Sequence, residues 1–307
     1  MTESQTGRVT VEYDVVFGRG GGRDLKCNVY MPPQQGSARP AVLLIHGGGW
    51  VSGDRSQLHG YGILLGRIGY VCVTTEYRLA GEAKWPAQLH DVKAALRWMR
   101  ANAERLGIDP GKISVEGNSA GAHLSLMMAG TQNVAAFEGE GGNAGVRTDV
   151  AASVAFYAPA QLYAPGEPPR EELSFLFGRG YGLDTARDAS PIEYASAGFP
   201  PTLLITGNKD ELVPDEASFR MYRALIDAGA RAELHVYADA PHAFDATPDF
   251  GRQAAGIMAL FLDRYVANPR RFSVEAAEQI QREVNAGLTG LLRSPLRSDR
   301  AVAQGRG

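Results

Sequence analysis

The chain has 307 residues, with 31 Lys and Arg against 34 Asp and Glu and a net charge of −3. That length supplies one large α/β core or two small ones, and the mild negative charge gives no electrostatic reason to expect nucleic acid or an anionic membrane as a partner. No apolar run is long enough to cross a bilayer, and Met1-Thr2-Glu3-Ser4-Gln5-Thr6 lacks the basic-then-apolar pattern of a secretory signal.

The first predicted elements are strand-like runs at 10–16 and 24–31, split by Gly18-Arg19-Gly20-Gly21-Gly22, which reads as an antiparallel hairpin. Residues 41–45 form a continuous apolar run, the pattern of a strand covered on both faces. A helix-like segment at 57–66 and a strand at 70–75 follow. Pro86 opens a strong helix to about residue 105, with Leu89, Val92, Ala95, Leu96 and Met99 at helical spacing. Further strands fall at 112–116, 152–157, 202–206 and 232–237, with helices near 122–128, 216–228 and 250–266. Cys27 and Cys72 both sit in strand-like runs and read as buried free thiols rather than a disulfide, so a reducing cytoplasm is expected.

This alternation predicts a mostly parallel eight-stranded sheet with helices on both faces. Residues 1–267 make that domain, and 268–307 are a C-terminal helical extension and flexible tail. Two segments interrupt the rhythm. Residues 138–145 are a Gly-rich surface loop, expected to be mobile. Residues 161–190 carry Pro165, Pro168 and Pro169 and then Leu173, Phe175, Leu176, Phe177 and Tyr181. They read as a small lid or pocket wall over the strand ends, or else as a loop that packs its aromatics on the core. In the tail, Ser273 would cap a helix with an apolar stripe of Val274, Ala277, Ile280, Val284, Leu288 and Leu291. That stripe is an expected homo-oligomer contact, and residues 293–307 read as disordered.

Gly117-Asn118-Ser119-Ala120-Gly121 stands between the run at 112–116 and the helix-like run at 122–128. Strand, sharp turn and helix together would expose the Ser119 hydroxyl at a helix N-terminus. A short Gly/Ser pattern also arises by chance, so its companions decide. A serine needs a base, the base needs an orienting carboxylate, and the reaction needs donors for an oxyanion.

Six histidines compete for the base. His46 belongs to a glycine turn, His90 to the strong helix and His235 to a strand. His59 has no supporting context, and His123 lies on the helix that follows Ser119. His242, in Ala240-Pro241-His242-Ala243-Phe244, follows the last strand, where parallel sheets build their sites. Asp210 occupies the loop after the strand at 202–206, so the order Ser119, Asp210, His242 is the order expected of such a fold. Glu211, Asp215, Asp239 and Asp245 are its rivals.

His46-Gly47-Gly48-Gly49-Trp50 follows the strand at 41–45. Gly48 and Gly49 are the expected oxyanion donors, joined by the N–H of Ala120. A phosphate loop is excluded because no Gly-Lys-Ser/Thr ending is present, and no metal-ligand cluster stands out. Trp50, Leu173, Phe175 and Phe177 are the candidates for the substrate pocket, with core packing as the competing reading.

Together these residues resemble the α/β-hydrolase superfamily, and within it the hormone-sensitive-lipase-like esterases, from about residue 10 to 267. The landmarks are the His46–Trp50 stretch, Glu76-Tyr77-Arg78-Leu79-Ala80, Trp85-Pro86-Ala87, the Ser119 turn, Gly207-Asn208-Lys209-Asp210 and Pro241-His242-Ala243-Phe244. Three departures stand out. The family often has an acid where this chain has Asn118, two glycines where it has Gly121-Ala122, and His-Gly-Phe where it has His242-Ala243-Phe244. The Ser-Ala-Gly-Ala-His-Leu run looks more like the compact branch of acetyl-xylan and feruloyl esterases and kynurenine-formamidase-like enzymes. The resemblance implies a Ser119–His242–Asp210 triad, no cofactor, and hydrolysis of short-chain acyl esters, with a small-molecule ester as the partner. The rival expectations are an aryl formamidase or amidase on the same triad, and a non-catalytic hydrolase-fold protein that binds a small ligand.

Overall fold

The computed structural model describes residues 7–33, 36, 38–270 and 274–293. It begins with an antiparallel pair, β1 (Thr10–Gly20) and β2 (Arg23–Met31). The corner is shorter than the glycine run suggests. Gly18 and Gly20 continue β1, and only Gly21 and Gly22, both at positive φ, turn the chain. Gly18 stays small because another segment crosses it: a Cβ there would lie 2.2 Å from the Gly141 carbonyl oxygen.

Next come β3 (Arg39–Ile45), α1 (His59–Arg67), β4 (Val71–Thr75) and α2 (Ala87–Ala101). The long helix expected over 86–105 breaks at Asn102, whose side chain donates back to the Trp98 carbonyl. It resumes as α3 (Ala103–Leu106). Then follow β5 (Ile108–Asn118), α4 (Ala120–Gly130), β6 (Ser153–Phe156), α5 (Ser174–Phe177), α6 (Leu183–Asp188), β7 (Thr202–Gly207), α7 (Glu216–Asp227), β8 (Ala232–Tyr237) and α8 (Pro248–Leu262).

The strands form one sheet in the order β1-β2-β4-β3-β5-β6-β7-β8, in which only β2 runs against its neighbours. Its central strand β3 reads as an unbroken apolar run, residues 41–45, because both faces are covered. On one face α2, α4 and α7 bury Leu89, Val92, Leu124, Leu126, Met221 and Leu225. On the other, α1 and α8 bury Tyr61, Leu65, Met258 and Phe261. The strand ends that carry the candidate site residues therefore emerge between two solid layers.

The 138–145 segment is tied down rather than loose. Arg97, 2% exposed, donates to the Glu138 and Gly142 carbonyls at 2.8 and 2.9 Å. Lys93, fully buried, meets Glu138 Oε1 at 2.9 Å, and Thr148 donates to the same oxygen. Arg19 N–H reaches the Gly141 carbonyl. The segment is glycine-rich in sequence; the buried cations that pin it, through Glu138 and Gly142, lie some forty residues upstream.

Contacts divide the chain into two units, Met1–Pro269 and Arg270–Gly307. The second contains α9 (Val274–Arg293). Within it Ile280 and Val284 are about half exposed, at 51% and 49%. Gln279 pairs with Glu283, and Arg282 with Glu278, along the helix surface. Ser273, residues 294–307 and the side chains of Val274, Ala277, Leu288 and Leu291 lie outside the described residues.

Candidate active site

Ser119 sits between the end of β5 and the start of α4, at φ 54° and ψ −116°. A side chain in that region of backbone space is strained, by of order 1–3 kcal/mol, and persists only when its surroundings enforce it. The surroundings do. A Cβ on Gly117 would lie 2.2 Å from the Gly121 carbonyl oxygen, and a Cβ on Gly121 would lie 2.0 Å from that of Ile45. The two glycines let strand, turn and helix close on each other. Ser119 N–H is held by the Phe156 carbonyl at 2.9 Å.

His242 and Asp210 approach from loops at the ends of β8 and β7. His242 Nδ1–H donates to Asp210 Oδ2 at 2.6 Å, and the Ser119 hydroxyl lies 3.1 Å from His242 Nε2. The partners set the tautomer: a carboxylate accepts at Nδ1, leaving Nε2 free to accept from the hydroxyl. Asp210 is itself fixed, because its Oδ1 accepts from the N–H groups of Leu212 and Val213 at 3.0 and 2.8 Å. Such a relay can draw a proton from a serine as its oxygen attacks.

The glycine turn after β3 passes beside the serine. A Cβ on Gly47 would lie 2.8 Å from the Asn118 carbonyl oxygen and 3.4 Å from Ser119 Cβ. Gly48 takes φ +114°, a conformation that side chains avoid, and a Cβ there would strike the Ser52 carbonyl at 2.2 Å. Among the described residues the N–H groups of Gly48 and Gly49 make no hydrogen bond. Ala120, as the first residue of α4, also has an N–H without an intrahelical acceptor. His46 anchors the turn. Its Nδ1–H donates to the Gly47 carbonyl at 2.7 Å, its ring stacks on Tyr77 at 4.3 Å, and burial pushes its pKa down.

The remaining histidines have other partners. His123 Nε2–H donates to the Ala189 carbonyl at 2.7 Å, and burial pushes its pKa down to about 4. Tyr30 OH lies 3.1 Å from His59 Nδ1. Burial also lowers His90, and His235 packs against Tyr237.

A cavity of about 970 Å³ opens at Ser119. Its walls are α1 with the turn before it (Leu58, Ile63, Leu64), the loop after His242 (Ala243, Ala246) and the start of α8 (Pro248). Trp50, Leu173, Phe175 and Phe177, the four residues expected to shape the pocket, do not line it. Trp50 and Leu173 belong to the core on the α4 face of the sheet, Phe177 packs against it, and Phe175 is 37% exposed. Trp50 is 5% exposed, with its ring edge-on to His123 and 6.4 Å from Phe175. Leu173 and Leu176 are buried in the same core, and Phe177 packs against it. The reason is a pair of distant partners: the Trp85 N–H donates to the Leu176 carbonyl, and Lys84 Nζ to those of Ala80 and Phe175, which fold the segment down onto the core. The core-packing reading holds for Trp50, Leu173 and Phe177, while the Phe175 ring stands at the surface.

Sequence reasoning missed a polar cluster on the cavity floor. Asp245, weighed only as a rival to Asp210, accepts from Tyr61 OH at 2.8 Å, from Asn118 Nδ2 at 2.7 Å and from Tyr157 OH. Asn118 Nδ2 also donates to Tyr157 OH at 2.8 Å. Burial, with the nearby Asp245 charge, pushes both tyrosines well above the usual phenol range, so they remain neutral donors. Glu116, two residues before Asn118 on the same strand, is fully buried, and neither of its oxygens makes a hydrogen bond among the described residues. Burial, then the charge of Asp245, raises its pKa well above the carboxylate range and favours the neutral form. The position of Tyr61 on the α1 wall left no signal in the sequence; Asp245, three residues past His242, did.

A mostly parallel eight-stranded sheet, with a serine on a tight strand-to-helix turn and an acid and a histidine on later strand-end loops, defines an α/β-hydrolase. Within that class the chain belongs to the BD-FAE family, whose profile matches residues 27–225. It is similar to esterase LipC of Mycobacterium tuberculosis, 33% identical over 77% of this chain and 61% of LipC. It is also similar to arylacetamide deacetylase of Bos taurus, 37% identical over 34% of this chain and 28% of that protein. The chain thus spans less than two thirds of the length of these relatives. Among solved structures, Thermogutta terrifontis esterase 2 with butyrate bound superposes with a TM-score of 0.73, at 26% identity over 88% of this chain and 98% of that one. The same esterase phosphonylated by sarin gives a TM-score of 0.74, at 26% identity over 88% of this chain and 99% of that one.

Proposed function

We propose that the chain is a serine carboxylesterase in which Ser119 is the nucleophile, His242 the base and Asp210 the residue that orients it. The observation that carries this reading is the relay from Asp210 Oδ2 through His242 to Ser119 Oγ, with links of 2.6 and 3.1 Å. In the first step His242 takes the Ser119 proton as the oxygen attacks the ester carbonyl. The N–H groups of Gly48, Gly49 and Ala120 hold the oxyanion, each being worth about 10²–10³ in rate in comparable sites. His242 then passes its proton to the leaving alcohol. Water, deprotonated by His242, releases the acid from the acyl-enzyme and restores Ser119.

A cavity of about 970 Å³ is larger than a short acyl group needs. We therefore assign the short chain to the acyl half of the ester and the bulk to its alcohol. An amidase reading has one observation in its favour, the likeness over a third of the chain to a protein named for arylacetamide deacetylation. The same groups would act, and rates on an ester and its matching amide separate the two.

The test of the common mechanism is hydrolysis of a short-chain p-nitrophenyl ester by the native chain and by Ser119→Ala. Turnover should fall by at least about 10³-fold with the fold intact. Near-native turnover in the variant would overturn the assignment.

A further inference from the structure

The relay leaves one carboxylate of the cavity unused. Asp245 lies on the loop that carries His242, and three donors from three different elements converge on it: Tyr61 from α1, Asn118 from the end of β5 and Tyr157 from just beyond β6. Both carboxylate oxygens are taken, Oδ1 by Tyr157 and Oδ2 by Tyr61 and Asn118. Asp245 is therefore engaged in holding protein groups rather than presented to a ligand.

Those donors are the neighbours of the reacting pair. Asn118 precedes Ser119 directly. The Tyr157 ring lies against His242 with centroids 4.6 Å apart. Tyr157 follows Phe156, whose carbonyl holds the Ser119 N–H. Ser119 and Tyr157 also both sit at positive φ, at 54° and 39°. Two adjoining strained backbones need fixed partners to persist, and the polar cluster supplies them. We propose that Asp245 is a positioning residue which, through Asn118 and Tyr157, holds the Ser119 hydroxyl and the His242 ring in register. The inference rests on the reading of Ser119 as the nucleophile.

The same geometry accounts for Asn118. An acid there would face Asp245 across a 2.7 Å contact, setting two carboxylates against each other. An amide donates to both Asp245 and Tyr157 instead. The acid and the amide are thus a reciprocal pair, and exchanging them should conserve the arrangement. In Asn118→Asp/Asp245→Asn the new amide nitrogen, at the place of Oδ2, donates to the new carboxylate and to the Tyr61 oxygen, and Tyr157 OH turns its proton to the carboxylate.

The experiment is a double-mutant cycle on the full chain, with kcat and KM for a p-nitrophenyl ester, the rate of inactivation by a fluorophosphonate, and the melting temperature of each variant. Misalignment of a reacting pair by about 1 Å costs on the order of 10²-fold. Asn118→Asp and Asp245→Asn should each lower kcat and the inactivation rate by about 10- to 100-fold, with KM within about twofold of native. The double variant should recover most of that loss. Tyr157→Phe keeps the ring against His242 and removes only the hydroxyl. It should lower kcat by about tenfold at constant KM, which keeps the test open if a charge variant does not fold. The inference is overturned if Asp245→Asn keeps native kcat, if the losses fall on KM, or if the double variant is no better than the worse single one. A native chain that neither hydrolyses the ester nor reacts with the phosphonate would remove the nucleophile reading, and the inference with it.

Discussion

The two sides of Ser119 are built from similar residues and do opposite things. On the α1 and α8 side, Leu58, Ile63, Leu64 and Pro248 stand apart and leave a cavity of about 970 Å³. On the α4 side, Trp50, Leu173, Leu176 and Phe177 close on each other and on His123. Apolar composition does not separate the two. What separates them is whether nearby polar groups pull the segment inward. The Trp85 N–H and Lys84 Nζ draw the 173–177 stretch onto the core through its backbone carbonyls. On the open side, Asp245 binds Tyr61, Tyr157 and Asn118 into a floor and leaves the space above it free.

If the α4 side is core, its variants should change stability and spare catalysis. Leu176 is fully buried, so Leu176→Ala should cost about 2–5 kcal/mol in denaturant unfolding, with kcat/KM of the folded fraction unchanged. A stable variant with altered substrate preference would return this side to the pocket.

His123 gives the same side a pH signature. Its pKa is about 4 when folded, below the ordinary 6.5, so the unfolded chain binds its proton more readily. Its contribution to stability is complete above about pH 6.5 and is lost progressively as the pH falls towards 4, by an amount of order 3 kcal/mol. Unfolding free energy measured across that window should slope more gently in His123→Gln than in the native chain. Equal slopes would contradict the buried, neutral assignment.

The cavity side should behave in the reverse way. Ile63→Trp narrows the space beside Ser119 and should reduce kcat/KM by about tenfold for an ester of a bulky alcohol, with little change for a small one and little change in melting temperature. Equal loss on both esters would mean that this cavity does not sort substrates by size.

Much of the fold was legible because its signals are local. The unbroken apolar run of β3, the alternation of strands and helices, and the 3.6-residue spacing in α2 each need only neighbours in sequence. The candidate site was legible to the same extent: Ser119, Asp210 and His242 each follow a strand, and the structure brings them together. What stayed hidden depends on partners far along the chain. Gly18 stays within β1, paired with Leu25, and its missing side chain makes room for Gly141 rather than a turn. The 138–145 segment is pinned by Lys93 and Arg97 through Glu138 and Gly142. The choice between lid and core for residues 173–177 was decided by Lys84 and Trp85, some ninety residues earlier. Asn118, noted only as a departure from the family pattern, becomes intelligible once Asp245 is seen beside it.

The central claim is that Ser119 reacts because His242 and Asp210 activate it. Brief treatment of the full chain with a fluorophosphonate, followed by peptide mass mapping, tests it most directly. One adduct per chain on Ser119, absent in Ser119→Ala, slowed at least about 10³-fold in His242→Asn and matched by loss of ester hydrolysis, is the predicted result. An adduct on another residue, or hydrolysis that survives full modification of Ser119, would contradict it.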